Sequence, residues 1–131
     1  MKFLLDANAL IVLLKGHPGF LARLRHYQPQ DFGVPAIVMH ELFYGAYKGQ
    51  RTAQTLSRID ALAFEVLEFD GEDARVAGEV RAQLAHAGTP IGPYDVLIAG
   101  QALARNLTLI THNGREFQRV ARLNIQDWER D

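Results

Sequence analysis

The chain has 131 residues, a length that suits one domain spanning 1–131 and buries roughly two-thirds of the surface its unfolded form exposes. Hydrophobic residues at 48% and charged residues at 22% are the values of a folded chain, not a disordered one. Fourteen Lys and Arg against fifteen Asp and Glu leave a formal net charge of -1, which excludes a DNA-coating or polybasic membrane-binding protein; the lack of Cys excludes disulfide scaffolds, thiolate zinc sites and cysteine nucleophiles.

Phe3-Leu4-Leu5 is a short unbroken apolar run, the pattern of a strand covered on both faces. Asp6-Ala7-Asn8 then opens a helix over about residues 9–15, which Gly16 closes. Asp6 and Asn8 break the apolar stretch, no cleavage-site pattern follows, and no segment reaches the ~18 apolar residues of a membrane span. A cytoplasmic protein with no membrane partner is therefore expected. Pro18 starts a second helix to about residue 26, Phe32-Gly33-Val34 reads as a weak strand, and Pro35 starts a helix over about residues 36–48. A helix over residues 52–63 and a strand over 64–67 follow. The plainest helix runs from Asp70 to Gly88: Asp70 is an N-cap, Asp73 stands three residues on, and Val76, Val80, Leu84 and Ala87 recur at helical spacing. Ile91-Gly92-Pro93 leads into an almost wholly apolar helix over residues 94–105, ended by Asn106. A buried strand over 107–110, one or two helical turns over 114–120 and a short strand over 123–125 complete the chain. No repeat or linker interrupts it. This alternation predicts an α/β fold in three layers, a mostly parallel sheet between helices.

Three acids stand where an acid is expensive. Asp6 directly follows the first buried strand, the end that faces the ligand crevice in open parallel sheets; alone, it reads equally well as the cap of the next helix. Glu41 has Ile37, Val38, Tyr44 and Gly45 at helical spacing and Met39, Leu42 and Phe43 on its flank. An unpaired carboxylate there costs several kcal/mol unless a cation or donors answer it, the alternative being a side chain that reaches a local surface or pairs with an Arg. Asp95 falls in the first turn of its helix, where the dipole favours an acid, yet its helical neighbours Ile98, Ala99 and Ala102 are small or apolar. If the three converge they repel, unless a cation intervenes. Oxygen ligands without Cys or a His cluster select a hard ion, Mg²⁺ or Mn²⁺, and such a site suits phosphodiester hydrolysis by a metal-activated water.

Leu4-Leu5-Asp6-Ala7-Asn8, His40-Glu41-Leu42-Phe43-Tyr44-Gly45 and Ile91-Gly92-Pro93-Tyr94-Asp95-Val96-Leu97-Ile98-Ala99 resemble, in order and spacing, the motifs of PIN domains, and among these the VapC toxins of type II toxin–antitoxin pairs. The similarity runs the length of the chain, through Thr111-His112-Asn113-Gly114-Arg115-Glu116-Phe117 to Asp127-Trp128. It implies a three-layer PIN-like fold and a Mg²⁺- or Mn²⁺-dependent endoribonuclease acting on structured RNA such as tRNA or rRNA. It also implies a homodimer and a cognate antitoxin. The family's first three acids fall on Asp6, Glu41 and Asp95, which would hold one ion. At the fourth position, where many members carry Asp, this chain reads Thr111-His112-Asn113; Asn113, by a carbonyl oxygen, or Glu116, three residues on, is left to fill it, and a second ion depends on that. Asn8 and Thr111 read either as groups orienting the ligands or as a helix cap and a strand-end residue.

From Lys15 to Arg58 there are six Lys and Arg and only two acids, and Arg115 and Arg119 lie four apart beside the expected site, spaced to hold RNA phosphates or to form a solvated face. Phe43, Tyr44 and Tyr47 lie on a helix that is apolar almost all round, so they belong either to the core or to a groove for the antitoxin. The alternative to an enzyme is a PIN-like module that binds RNA or protein without cutting, which the incomplete fourth position favours. A phosphoacceptor receiver domain would need paired acids after the first strand and a late Lys; Asp6 has no acidic neighbour and no Lys follows Lys48.

Overall fold

The apolar run at residues 3–5 forms the centre of a sheet. In the computed structural model, which describes residues 1–129, β1 (Phe3–Leu5) is 5%, 0% and 0% exposed along its length. It pairs in parallel with β2 (Phe32–Pro35) on one side and β4 (Thr108–Ile110) on the other. β3 (Glu65–Leu67) and β5 (Ile125–Gln126) close the edges, giving five parallel strands in the order β3-β2-β1-β4-β5. The three inner strands are almost wholly apolar, whereas Glu65, Val66 and Gln126 on the edges are exposed, as covering by helices dictates. Phe3 sits opposite both Phe32 and Thr108, and Leu5 opposite Ile110.

The helices are α1 (Ala7–Leu14), α2 (Pro18–Leu24), α3 (Ala36–Lys48), α4 (Thr52–Asp60), α5 (Gly71–His86), α6 (Pro93–Ala104) and α7 (Gly114–Phe117). Each expected element is present, and the expected α/β architecture holds. Where limits differ, capping decides them. The first helix begins at Ala7 rather than at residue 9, because Asp6 caps it. α7 stops at Phe117 rather than running to residue 120, and the last strand lies over residues 125–126 rather than 123–125, because Arg122 adopts a φ of 67° between them. Gly16, Gly88 and Asn106, the three residues expected to end helices, have φ of 76°, 70° and 55°, the left-handed conformation that Gly takes without cost and Asn tolerates.

Two packing features frame the molecule. Trp128, 2% exposed, lies within 5.7 Å, centroid to centroid, of the rings of Phe3, Phe20, Tyr27 and Phe32, which ties the last described residues to the start of β1. α5 and α6 cross at Gly100, where a Cβ would come within 2.5 Å of the Ala77 Cα. Beside that crossing the buried Asp73 accepts from Gln101 and Arg105, and Arg105 also reaches Asp70 at 3.6 Å. The reciprocal capping box of Asp70 and Asp73 is formed at 2.9 and 3.0 Å. The inward stripe of α5 is thus Asp73, Ala77, Val80 and Leu84, with Val76 only half-buried and Ala87 exposed.

The sheet's order reverses direction at β1: β2 and β3 lie to one side, β4 and β5 to the other. The carboxyl ends of β1 and β4 therefore flank the switch point, where open α/β sheets place ligands. Asp6 follows β1 and Thr111 follows β4. The order also differs from that of the receiver fold, which runs 2-1-3-4-5.

Candidate active site

Asp6 leaves β1 in extended backbone, φ −83° and ψ 176°, and its Oδ1 accepts the Ala9 N–H at 2.8 Å. It caps α1 and also faces the crevice at 5% exposure, so the two readings of this residue are one arrangement. Burial pushes its carboxyl up to about 6, against the lowering effect of the Thr111 hydroxyl and the Ala9 N–H, and the charges of Glu41 and Glu129 add to the rise. Thr111 is buried, and its Oγ1 accepts the Asn113 N–H at 2.9 Å, which fixes the hydroxyl between β4 and the turn that follows.

Asp95 is the third residue of α6, after Pro93 at the first position. Gly92, just before the helix, is pressed against it: a Cβ there would lie 3.3 Å from Asp95 Oδ2. The missing side chain keeps space beside the carboxylate. Burial first, then the hydrogen-bonded and charged Glu116, then Asp6 and Glu41, push Asp95 up to about 6. Glu41, half-buried on α3, is raised by burial and eased back by the neighbouring His40. Four acids from four elements thus feel one another across the switch point.

The carboxylate that neighbours Asp95 is that of Glu116. Asn113 stands behind it, its Nδ2 donating to Glu116 Oε2 at 3.3 Å. Of the groups expected to orient ligands, Thr111 lies against Asp6, whereas Asn8 is exposed on α1 and lines a groove with Glu41. Arg115 is exposed. Arg119 lies past the end of α7, so the two Arg do not share a helix face, and its Nη1 donates to the Pro90 carbonyl at 2.9 Å, clipping the loop that leads into α6. Phe43 packs partly into the core, while Tyr44 and Tyr47 are 60% and 69% exposed. A separate groove of about 330 Å³ between α1, α3 and α4 is lined by Ile11, Leu42, Ala46 and Ile59 together with Lys15, Glu41 and Arg58, and not by these three aromatics.

The four acids stay spread, as like charges dictate. Among the described residues, a different group, His112, Asp127 and Glu129, brings three ligand-type atoms within 4.8 Å of one another. His112 Nδ1 lies 3.0 Å from Asp127 and 3.3 Å from Glu129. These contacts fasten the end of β4 to the segment that carries the buried Trp128, a polar cluster that sequence reasoning missed. The alternation Asp127-Trp128-Glu129, polar to one side and aromatic to the other, was its signal.

The description of the matching family model is PIN domain, over residues 3–123. The chain is 37% identical to the tRNA(fMet)-specific endonuclease VapC of Salmonella typhimurium over 98% of each chain, and 31% identical to Ribonuclease VapC2 of Rickettsia felis over 99% of this chain and 100% of that one. Among solved structures, DNA-bound VapBC from Salmonella typhimurium superposes with a TM-score of 0.92 at 37% identity, covering 98% of both chains. The motif spacing, the strand order, the acids at its switch point and these likenesses agree: the chain belongs to the PIN-domain family, among the VapC ribonucleases.

Proposed function

We propose that this protein is a divalent-metal-dependent endoribonuclease that cuts structured RNA, tRNA foremost, and acts as the toxin of a toxin–antitoxin pair. The observation that carries the reading is the placement of Asp6, Glu41, Asp95 and Glu116 around the switch point, where burial first, with neighbouring carboxylates adding to it, pushes Asp6 and Asp95 up to about 6. Structural ion pairing would lower them; buried acids that face one crevice without a basic partner among the described residues fit a cation. An all-oxygen donor set with space kept open by Gly92 suits Mg²⁺ or Mn²⁺, held by Asp6, Asp95 and Glu41. When bound, the ion supplies an activated water and offsets charge gathering on the phosphate. The Ala9 N–H and Thr111 hydroxyl aim Asp6, and Asn113 aims Glu116, the fourth acid on which a second ion depends. Arg119 sets the loop before Asp95, and Arg115 is left free to meet a neighbouring phosphate.

The non-catalytic alternative drew on the lack of an acid at the fourth position, and the approach of Glu116 to Asp95 favours the enzyme over it. The groove between α1, α3 and α4 combines apolar side chains with Lys15, Glu41 and Arg58, the chemistry that takes an amphipathic segment, and we assign it to the antitoxin together with the exposed Tyr44 and Tyr47 of α3. A homodimer and a cytoplasmic location go with the same reading; no helix among the described residues is long and apolar enough to cross a membrane.

The test is cleavage of total tRNA with Mg²⁺ or Mn²⁺, with and without EDTA, by the wild type and by Asp95→Asn, Glu116→Gln and Asn113→Ala. EDTA and Asp95→Asn are expected to abolish cutting, Glu116→Gln to cut far less than Asn113→Ala, and all variants to melt cooperatively. Undiminished cutting by Asp95→Asn would overturn the assignment.

A further inference from the structure

Two rings meet at the lip of the acid cluster. His40 and Tyr94 each stand one residue before a cluster acid, Glu41 on α3 and Asp95 on α6. Their ring centroids lie 5.4 Å apart with the planes at 62°. Tyr94 is 49% exposed and His40 is exposed as well. Core packing explains neither: α3 buries Val38, Leu42 and Ala46, and α6 buries the run from Val96 to Ala102 apart from Leu97. Tyr44 and Tyr47 are more exposed still, but they line no junction with the helix that carries Asp95.

Helical RNA hides its bases, whereas loops and ends present them unstacked, and proteins hold such bases on aromatic side chains. Tyr94 directly precedes Asp95 in the first turn of α6 and keeps its ring half-exposed, so a base next to a phosphate bound through a cation at the acid cluster has an open aromatic face beside it. We infer that the His40–Tyr94 pair is a stacking platform for an unpaired base adjoining the scissile phosphate, with Tyr94 touching the base and His40 bracing the Tyr94 ring. The inference rests on the ribonuclease reading above and adds to it a requirement on the substrate: the cut lies where a base is free to leave its stack. Stacking tolerates any base, so losing the base matters more than changing it.

The experiment maps the cut in tRNA, then compares a synthetic stem-loop carrying that cut with copies bearing an abasic nucleotide on either side of it. For the wild type, one abasic copy is expected to lose about tenfold or more in kcat/KM. Tyr94→Phe keeps the ring and is expected to behave like the wild type. Tyr94→Leu keeps apolar bulk without a π-face; it is expected to cut the intact stem-loop about tenfold less well, through KM more than kcat, and to be indifferent to the abasic copy. His40→Ala is expected to lose less than Tyr94→Leu. Equal sensitivity of wild type and Tyr94→Leu to base removal overturns the platform while leaving the nuclease intact. Failure of the wild type to cut any structured RNA overturns both.

Discussion

Asp6 uses one carboxylate for two tasks. One oxygen closes the first turn of α1, and the carboxyl as a whole faces the acids of the switch point. The folded state holds protons on Asp6 and Asp95 up to about pH 6, whereas the unfolded chain releases them near 3.8. Between about pH 4 and 6 the folded form thus binds more protons than the unfolded one, and stability from these groups is lost as pH rises through that window. Metal-free protein is expected to melt lower at pH 7 than at pH 5 on their account. Asp95→Asn should flatten the dependence, and Mg²⁺ or Mn²⁺ should raise the melt at pH 7 but hardly at pH 4.5, where protons compete for the same oxygens. Thermal melts of both proteins across pH, with and without metal, check this; an equally steep profile in the variant refutes it. Asp73 works in the opposite sense. Burial alone would raise it, but Arg105, the Asp70 N–H and Gln101 hold it below the usual carboxylate range. Its contribution is present above about pH 4 and is lost as pH falls through its lowered value.

At the scale of elements, the α5–α6 pair depends on close approach. Gly100 has no room for a methyl group over the Ala77 backbone, and next to it Asp73, Gln101 and Arg105 share one buried network. Gly100→Ala is expected to destabilise by about 1–3 kcal/mol in urea unfolding, because α6 must back away and stretch that network. Ala77→Gly in the same chain should recover part of the loss, since it removes one of the atoms the new methyl group meets. Strictly additive effects would show that the helices part elsewhere. The consequence reaches the site, because α6 also positions Asp95. The helical period of α5 was legible in sequence, but the occupant of its inward stripe was not. Asp73 carries a charge, and its burial is made tolerable by donors from Arg105, 32 residues away, and Gln101, 28 residues away, together with its local cap.

For the whole molecule, the aromatic cluster around Trp128 joins β1, β2, α2 and the last described residues. Trp128→Ala is expected to cost about 3–5 kcal/mol, measured by chemical unfolding, and to loosen the His112 contacts along with it. A loss below ~1 kcal/mol would show that the cluster stands without it. The -1 net charge likewise takes its meaning from the assembled chain. It averages an acid pocket at the switch point, an acidic start of α5 partly answered by Arg105, and a more basic stretch from Lys15 to Arg58. A near-neutral total excludes coating a nucleic acid, not cutting one.

The apolar surroundings of Asp6, Glu41 and Asp95 could be read from their neighbours alone, as could nearly all the helices and inner strands. Caps, helical periodicity and apolar runs act over a few residues, and the cost of an acid among apolar side chains can be read locally. Asn113 and Glu116 could not be told apart that way, since both lie in one short turn and the approach of Glu116 to Asp95 is a contact across the crevice. The Arg119–Pro90 contact lay out of reach for a related reason: it joins residues 29 apart, past the end of α7 at Phe117. The strand order, the His40–Tyr94 contact and the Trp128 cluster join residues far apart in the chain. Local pattern supplies the faces; which faces meet is decided by close packing and charge satisfaction over the whole fold.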